Sequence, residues 1–152
     1  MHFVIVTKQN IQLIEQISDA LHQEWASLSP WADTAQIKHR LHERSQAANP
    51  QILSCFVDSN GQLLATASTI LRELPDIQQA TWWLGEVLTV PSARGKRIGT
   101  QLIETLYQHY RKSTSESLYL YTPDMQGLYR KMGWQDVEQR KVNDELVTIM
   151  KR

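Results

Sequence analysis

The run Val90-Pro91-Ser92-Ala93-Arg94-Gly95-Lys96-Arg97-Ile98-Gly99-Thr100 sets three cations and two glycines within six residues, between an apolar stretch and an amphipathic one. Before it, Trp82 to Val90 is apolar apart from Glu86 and Thr89 and stops at Pro91, the pattern of a central strand covered on both faces. After it, Ile98, Leu102, Leu106 and Tyr110 recur at helical spacing and predict a helix from about Arg97 to Lys112. The first turn of a helix leaves its N–H groups without internal partners and carries the positive end of the dipole. Glycines let a ligand come close to the backbone, so this join is built as an anion cradle. A helix start with merely solvated arginines would fit an isolated basic turn better than one this dense behind a buried strand. Neither the GxxxxGK[ST] pattern of a P-loop nor a dinucleotide GxGxxG turn is present.

Working outward, Ser117 to Tyr121 reads as the next strand and completes a βαβ crossover. Thr122-Pro123-Asp124 reads as a helix start, Gly133 as its C′ glycine, and Trp134–Val137 with Leu146–Met150 as a terminal hairpin. On the other side, Ile52–Val57 and Leu63–Leu71 flank the hairpin signal Asn60-Gly61. A loop around Pro75 follows. Ile14, Ile17, Leu21 and Trp25 mark a helix from about Asn10, and Asp33 with Gln36 opens a second around Ile37 and Leu41. The order ααββ-βαβ-αββ predicts a mixed α/β domain, a central, mostly antiparallel sheet flanked by helices.

Its 152 residues suit one domain spanning 1–152. Sixteen basic and sixteen acidic residues give a net charge of zero, which argues against nucleic acid or an anionic membrane as partner. The charge is unevenly spread, with 5 basic against 9 acidic residues up to Ala93 and 11 against 7 from Arg94. Any polyanion therefore belongs on the carboxyl half. No apolar run suits a membrane span and the N-terminus lacks a signal-peptide pattern, so a cytoplasmic location is expected. The single cysteine, Cys55, lies in an apolar strand and reads as a core residue. The five histidines show no metal-ligand spacing, and no metal is expected. Trp25, Trp31, Trp82 and Trp83 are candidates for an acceptor pocket or for core packing, and Thr122 and Asp124 for ligand contact or capping.

Two blocks of the chain resemble the GNAT acyltransferases. Arg94 and Gly99 match the first and last fixed positions of that family's R/Q-x-x-G-x-G/A motif, and Leu128-Tyr129-Arg130-Lys131-Met132-Gly133-Trp134 looks like its LYxxxGF/W segment. Arg97 departs from the motif by standing where the family has its middle glycine, at no cost if its backbone is helical. The resemblance implies acetyl-CoA as acyl donor, with the amides of Gly95, Lys96, Arg97, Ile98, Gly99 and Thr100 holding the pyrophosphate. Arg94, Lys96 and Arg97 would supply charge there. It implies that Leu88, Thr89 and Val90 pair with the pantetheine, and that Tyr129 protonates the departing thiolate. An amine nucleophile must also lose a proton. Glu86, the only carboxylate inside the central strand, is the expected base, with burial raising its pKa. The expected reaction is direct acetyl transfer to a primary amine on a small molecule or peptide. Protein N-terminal or lysine acetylation, and a non-catalytic acyl-CoA sensor, are the alternatives. A homodimer is compatible with all three.

Overall fold

The computed structural model describes residues 1–152. In chain order the elements are β1 (His2–Ile5), α1 (Ile11–Trp25), α2 (Thr34–Gln46), β2 (Ile52–Val57), β3 (Leu63–Leu71), β4 (Trp82–Thr89), α3 (Ile98–Ser113), β5 (Leu118–Thr122), α4 (Gln126–Lys131), β6 (Gln135–Val142) and β7 (Glu145–Lys151). The seven strands form one sheet in the order β1-β2-β3-β4-β5-β7-β6, antiparallel except for the β4–β5 pair. This is the mostly antiparallel sheet with flanking helices that the sequence predicts.

Alternation in β2 shows how both faces are covered. Ile52 and Phe56 pack with Leu102, Ile103, Leu106 and Tyr110 of α3, whereas Leu53, Cys55 and Val57 pack with Ile14, Ile17 and Leu21 of α1 and Ile37 and Leu41 of α2. All six β2 residues are buried, which is why its sequence is nearly continuous in apolar side chains. The side chain of Asp33 caps α2 by accepting from Ala35 N–H at 2.9 Å. Gly133, at φ 95°, closes α4, where Trp134 N–H reaches the Tyr129 carbonyl at 3.0 Å.

The sheet opens at its centre. Only Trp82↔Leu118 and Trp83↔Tyr119 pair β4 with β5, so beyond Trp83 the β5-facing edge of β4 has no ladder. On its other edge β4 bulges, because Thr66 pairs with Leu88 and Ser68 with Gly85, setting Glu86 and Val87 opposite Ala67 alone. Glu86 takes φ 51° there, a left-handed conformation that a glycine would adopt without strain. A bulge bends its strand and increases the local twist, in keeping with the departure of β4 from β5.

Several elements differ from the sequence reading. β1 was not anticipated, because four residues at a sheet edge carry too little periodicity. β6 runs to Val142 rather than Val137, since its residues are mostly exposed and show no apolar alternation. Thr122 does not begin a helix. Its hydroxyl accepts from Met125 N–H at 3.0 Å and α4 starts at Gln126. Arg97 is not helical but left-handed at φ 61°, so the expectation that arginine sits there without cost is wrong.

Candidate active site

The turn between β4 and α3 is rich in unpaired amides. None of the six N–H groups from Gly95 to Thr100 donates to a backbone carbonyl; the first α3 residue to do so is Gln101, to Arg97 at 3.1 Å. The left-handed Gly95 (φ 77°) and Arg97 help keep these groups clear of a helical ladder. A Cβ on Gly95 would meet nothing within 4 Å, so the mouth is open there. At Gly99 it would lie 2.7 Å from Thr89 Oγ1, so glycine allows α3 to start close against β4. Val90 is different. Its N–H is taken by the Leu64 carbonyl at 3.0 Å.

The three cations also divide. Arg94 donates from Nε to the Thr89 carbonyl at 3.0 Å and from Nη2 to Glu24 Oε2 at 2.8 Å, so it braces the turn against α1. Lys96 and Arg97 are exposed and form no ion pair, leaving their charge available to an anion.

A cavity of about 780 Å³ runs from this turn into the gap between β4 and β5. Of the residues expected to hold acetyl-CoA, Leu88, Thr89, Arg94, Gly95, Arg97, Ile98, Gly99 and Thr100 line it, as do both expected catalytic residues, Glu86 and Tyr129. Val90 and Lys96 do not: Val90 packs against the α1/α2 core instead. Trp25 and Trp31 line the cavity, whereas Trp83 is fully buried in a separate cluster with Tyr119 and Ile149.

Glu86 is held rather than free. Its Oε1 lies 2.9 Å from Arg44 Nη1, both side chains being buried, and its Oε2 accepts from Trp31 Nε1 at 3.3 Å. Arg44 Nη1 also donates to Ser68 Oγ at 3.2 Å. Trp31 is positioned by His22 Nδ1, 2.9 Å from its carbonyl, and by the Trp25 ring at 5.1 Å. Each Glu86 oxygen thus has one partner within the protein.

A second carboxylate, not singled out from the sequence, enters the same cavity. Glu73 follows Arg72, itself left-handed at φ 48°, in the loop after β3. A Cβ on Gly85 would stand 2.6 Å from Glu73 Oε2, so a glycine in β4 makes room for this side chain. The isolated glycine in an apolar strand was the sequence signal for such a close approach. Arg44, Tyr121 and Glu145 were missed for another reason: nothing local links them to the turn.

Tyr129 is buried, with its ring 5.9 Å from that of Trp134, and burial followed by the charge of Asp124 pushes its phenol up to about 12. It therefore holds its proton throughout the neutral range. Burial also raises the Cys55 thiol to about 12, consistent with a core residue rather than an acyl carrier. No group of three His, Cys, Asp or Glu side chains is placed to hold a metal ion, and no helix is long and apolar enough to cross a membrane.

Solved structures share this fold over their whole length. An aminoglycoside 6'-N-acetyltransferase complexed with coenzyme A is 19% identical, at a TM-score of 0.78, with 100% of this chain and 96% of that one covered. An aminoglycoside 6'-acetyltransferase type Ii is 24% identical at 0.77, with the same coverage. The ribosomal-protein-alanine N-acetyltransferase from Brucella melitensis is 18% identical at 0.74, covering 100% and 99%. No curated protein matches by sequence. Residues 14–134, most of the chain and including the whole turn and the Leu128–Trp134 block, match the acetyltransferase (GNAT) family. The open sheet, its amide-lined turn and this match together show that the chain belongs to the acetyltransferase (GNAT) family and is an acetyl-CoA-dependent N-acetyltransferase.

Proposed function

We propose that this protein, acting as one domain over residues 1–152, transfers the acetyl group of acetyl-CoA directly to a primary amine on a small cationic acceptor. The observation that carries this is the composition of a single cavity: unpaired amides and Arg97 at one side, Glu73, Glu86 and Glu145 at another. An anionic donor and a cationic acceptor are each met by opposite charge within one space.

In this reading the amides from Gly95 to Thr100 hold the pyrophosphate, with Arg97 and the more distant Lys96 adding charge. The β5-facing edge of β4 at Leu88 and Thr89 takes the pantetheine like an added strand. An amide of that edge polarises the thioester carbonyl. Tyr129 donates its proton toward the departing sulfur. Glu86, fixed by Arg44 and Trp31, lies on the side of the cavity that takes the acceptor. The aminoglycoside enzymes among the structural neighbours act on small polyamines of this charge type, which favours such an acceptor over a protein N-terminus.

A panel of polyamines, aminoglycosides and lysine or N-terminal peptides, scored by thiol released from acetyl-CoA, tests the proposal. Turnover is expected to favour small acceptors with two or more ammonium groups. Turnover confined to peptides would contradict the acceptor class. Binding of acetyl-CoA without thiol release for any amine would support a sensor.

A further inference from the structure

The acidic side of the cavity is assembled from three separate parts of the chain. Glu86 belongs to β4 and is fixed by its ion pair with Arg44. Glu73 belongs to the loop between β3 and β4, and Glu145 opens β7 just after the turn at Asn143 and Asp144. That loop and that turn form two walls of the same space, although they lie far apart in sequence.

Each wall is well held by itself. Arg72 N–H closes the loop at its base on the Thr81 carbonyl at 2.7 Å, and Ile77 and Ala80 anchor it on Trp83, Tyr119 and Ile149. Asn143 and Asp144, at φ 51° and 61°, give the hairpin the left-handed pair that suits a tight turn. The polar tie between the walls is Arg140. It stands on β6, two residues before the cavity-lining Val142. Its Nη1 donates to Asp76 Oδ2 in the loop, three residues from Glu73, while its Nη2 donates to Glu138 Oε1 at 3.0 Å on its own strand. The planar fork of a guanidinium serves two carboxylates at once in fixed geometry, which an ammonium does not.

Resting on the amine-acetylation reading, we infer that Arg140 is a positioning residue for the acceptor. By tying the Asp76 loop to the β6–β7 hairpin, it sets the width of the acceptor end between Glu73 and Glu145, and with it the length of diamine that fits. Arg140 itself does not line the cavity, so it acts only through the walls it joins. The side chain of Asp76 is 69% exposed, and an ion pair so placed adds little to stability. Its effect is geometric. One amine of the acceptor must reach the thioester at the β4 edge, so the remainder of the molecule meets both walls well only at a matching length. Walls held at one separation discriminate among lengths, whereas a loop released from the hairpin accommodates several.

The test measures kcat/KM for a series of α,ω-diaminoalkanes, with propylamine as the monoamine reference. Wild type, Asp76→Asn, Arg140→Gln and the double variant are compared. Wild type should show an optimum chain length. Each single variant should flatten the profile, lowering the ratio between best and worst diamine by about threefold. The change should lie in KM for the diamine, with kcat and KM for acetyl-CoA unchanged. Propylamine, too short to span the walls, should be used equally by all four proteins. The double variant should be no flatter than either single one, because both substitutions remove the same contact. Asp76→Asn should melt within about two degrees of wild type, which separates a changed profile from lost folding.

An unchanged optimum with uniformly reduced kcat/KM, losses that add in the double variant, or a wild type indifferent to length would each overturn the role of Arg140 while leaving amine acetylation standing. If wild type released no thiol with any amine, the functional reading would fall, and this inference with it.

Discussion

Arg44→Met is expected to destabilise the fold by about 3–5 kcal/mol, because it removes one partner of a buried ion pair and leaves the other charge without compensation. The side chains of Arg44 and Glu86 are only 6% and 5% exposed, so water cannot replace the lost guanidinium. Ser68 Oγ loses a donor in the same change. Arg44 Nε is already buried without a partner, so the native pair carries a cost that a methionine would not. For a chain of this size the net loss corresponds to about 6–20 °C in melting temperature. Removing both charges, as in Arg44→Met with Glu86→Met, should recover much of the loss, since an apolar pair of similar volume replaces a buried ion pair at little cost. A single variant melting within a degree or two of wild type would show that the pair is hydrated. The double variant should nonetheless be poorly active, because the acceptor side has lost a fixed negative charge.

Tyr129→Phe is expected to lower kcat by about 10²–10⁴-fold with little effect on stability. The ring stays: its edge-to-face contact with Trp134 and its place in the core with Leu120 and Met150 do not involve the hydroxyl. What disappears is the proton donor. A phenol raised to about 12 keeps its proton until charge has developed on sulfur, so transfer comes late in the collapse. The hydroxyl also titrates too high to produce a basic limb in the pH profile anywhere near neutrality. An acetyl donor with a more acidic thiol should need less help, so the variant should lose less on an aryl thioester than on acetyl-CoA. Unchanged kcat on acetyl-CoA in a folded variant would remove Tyr129 from the chemistry.

How much of this was legible in the sequence depends on how local each signal is. β3 was found with its observed bounds, because the Asn60-Gly61 turn and its own composition both lie within a few residues. The cradle was legible for the same reason, since strand, turn and helix are contiguous. β1 and most of β6 lie at the sheet edges, where pairing by backbone rather than burial makes the strand and the side-chain pattern falls silent. The cavity's acidic side is least local of all. Arg44 and Glu86 are brought together from α2 and β4, and Glu73 reaches the same space from a loop that composition marks only as a turn. The two left-handed residues Arg72 and Glu86 set the backbone where each of these glutamates meets the cavity, and neither is a glycine that a reader could have flagged. Arg97 is the converse case: a family motif with glycine at that position was itself a hint of positive φ.

The amides between Gly95 and Thr100 are the foundation on which donor binding, thioester placement and acceptor chemistry all stand. Isothermal titration of coenzyme A into the folded protein measures that foundation alone, with no acceptor and no turnover required. Saturable one-site binding is predicted, weakened by salt and strongly reduced in Gly99→Val, whose side chain would push Thr89 and the first turn of α3 apart. Absence of any binding heat, or binding as tight in Gly99→Val as in wild type, would contradict it.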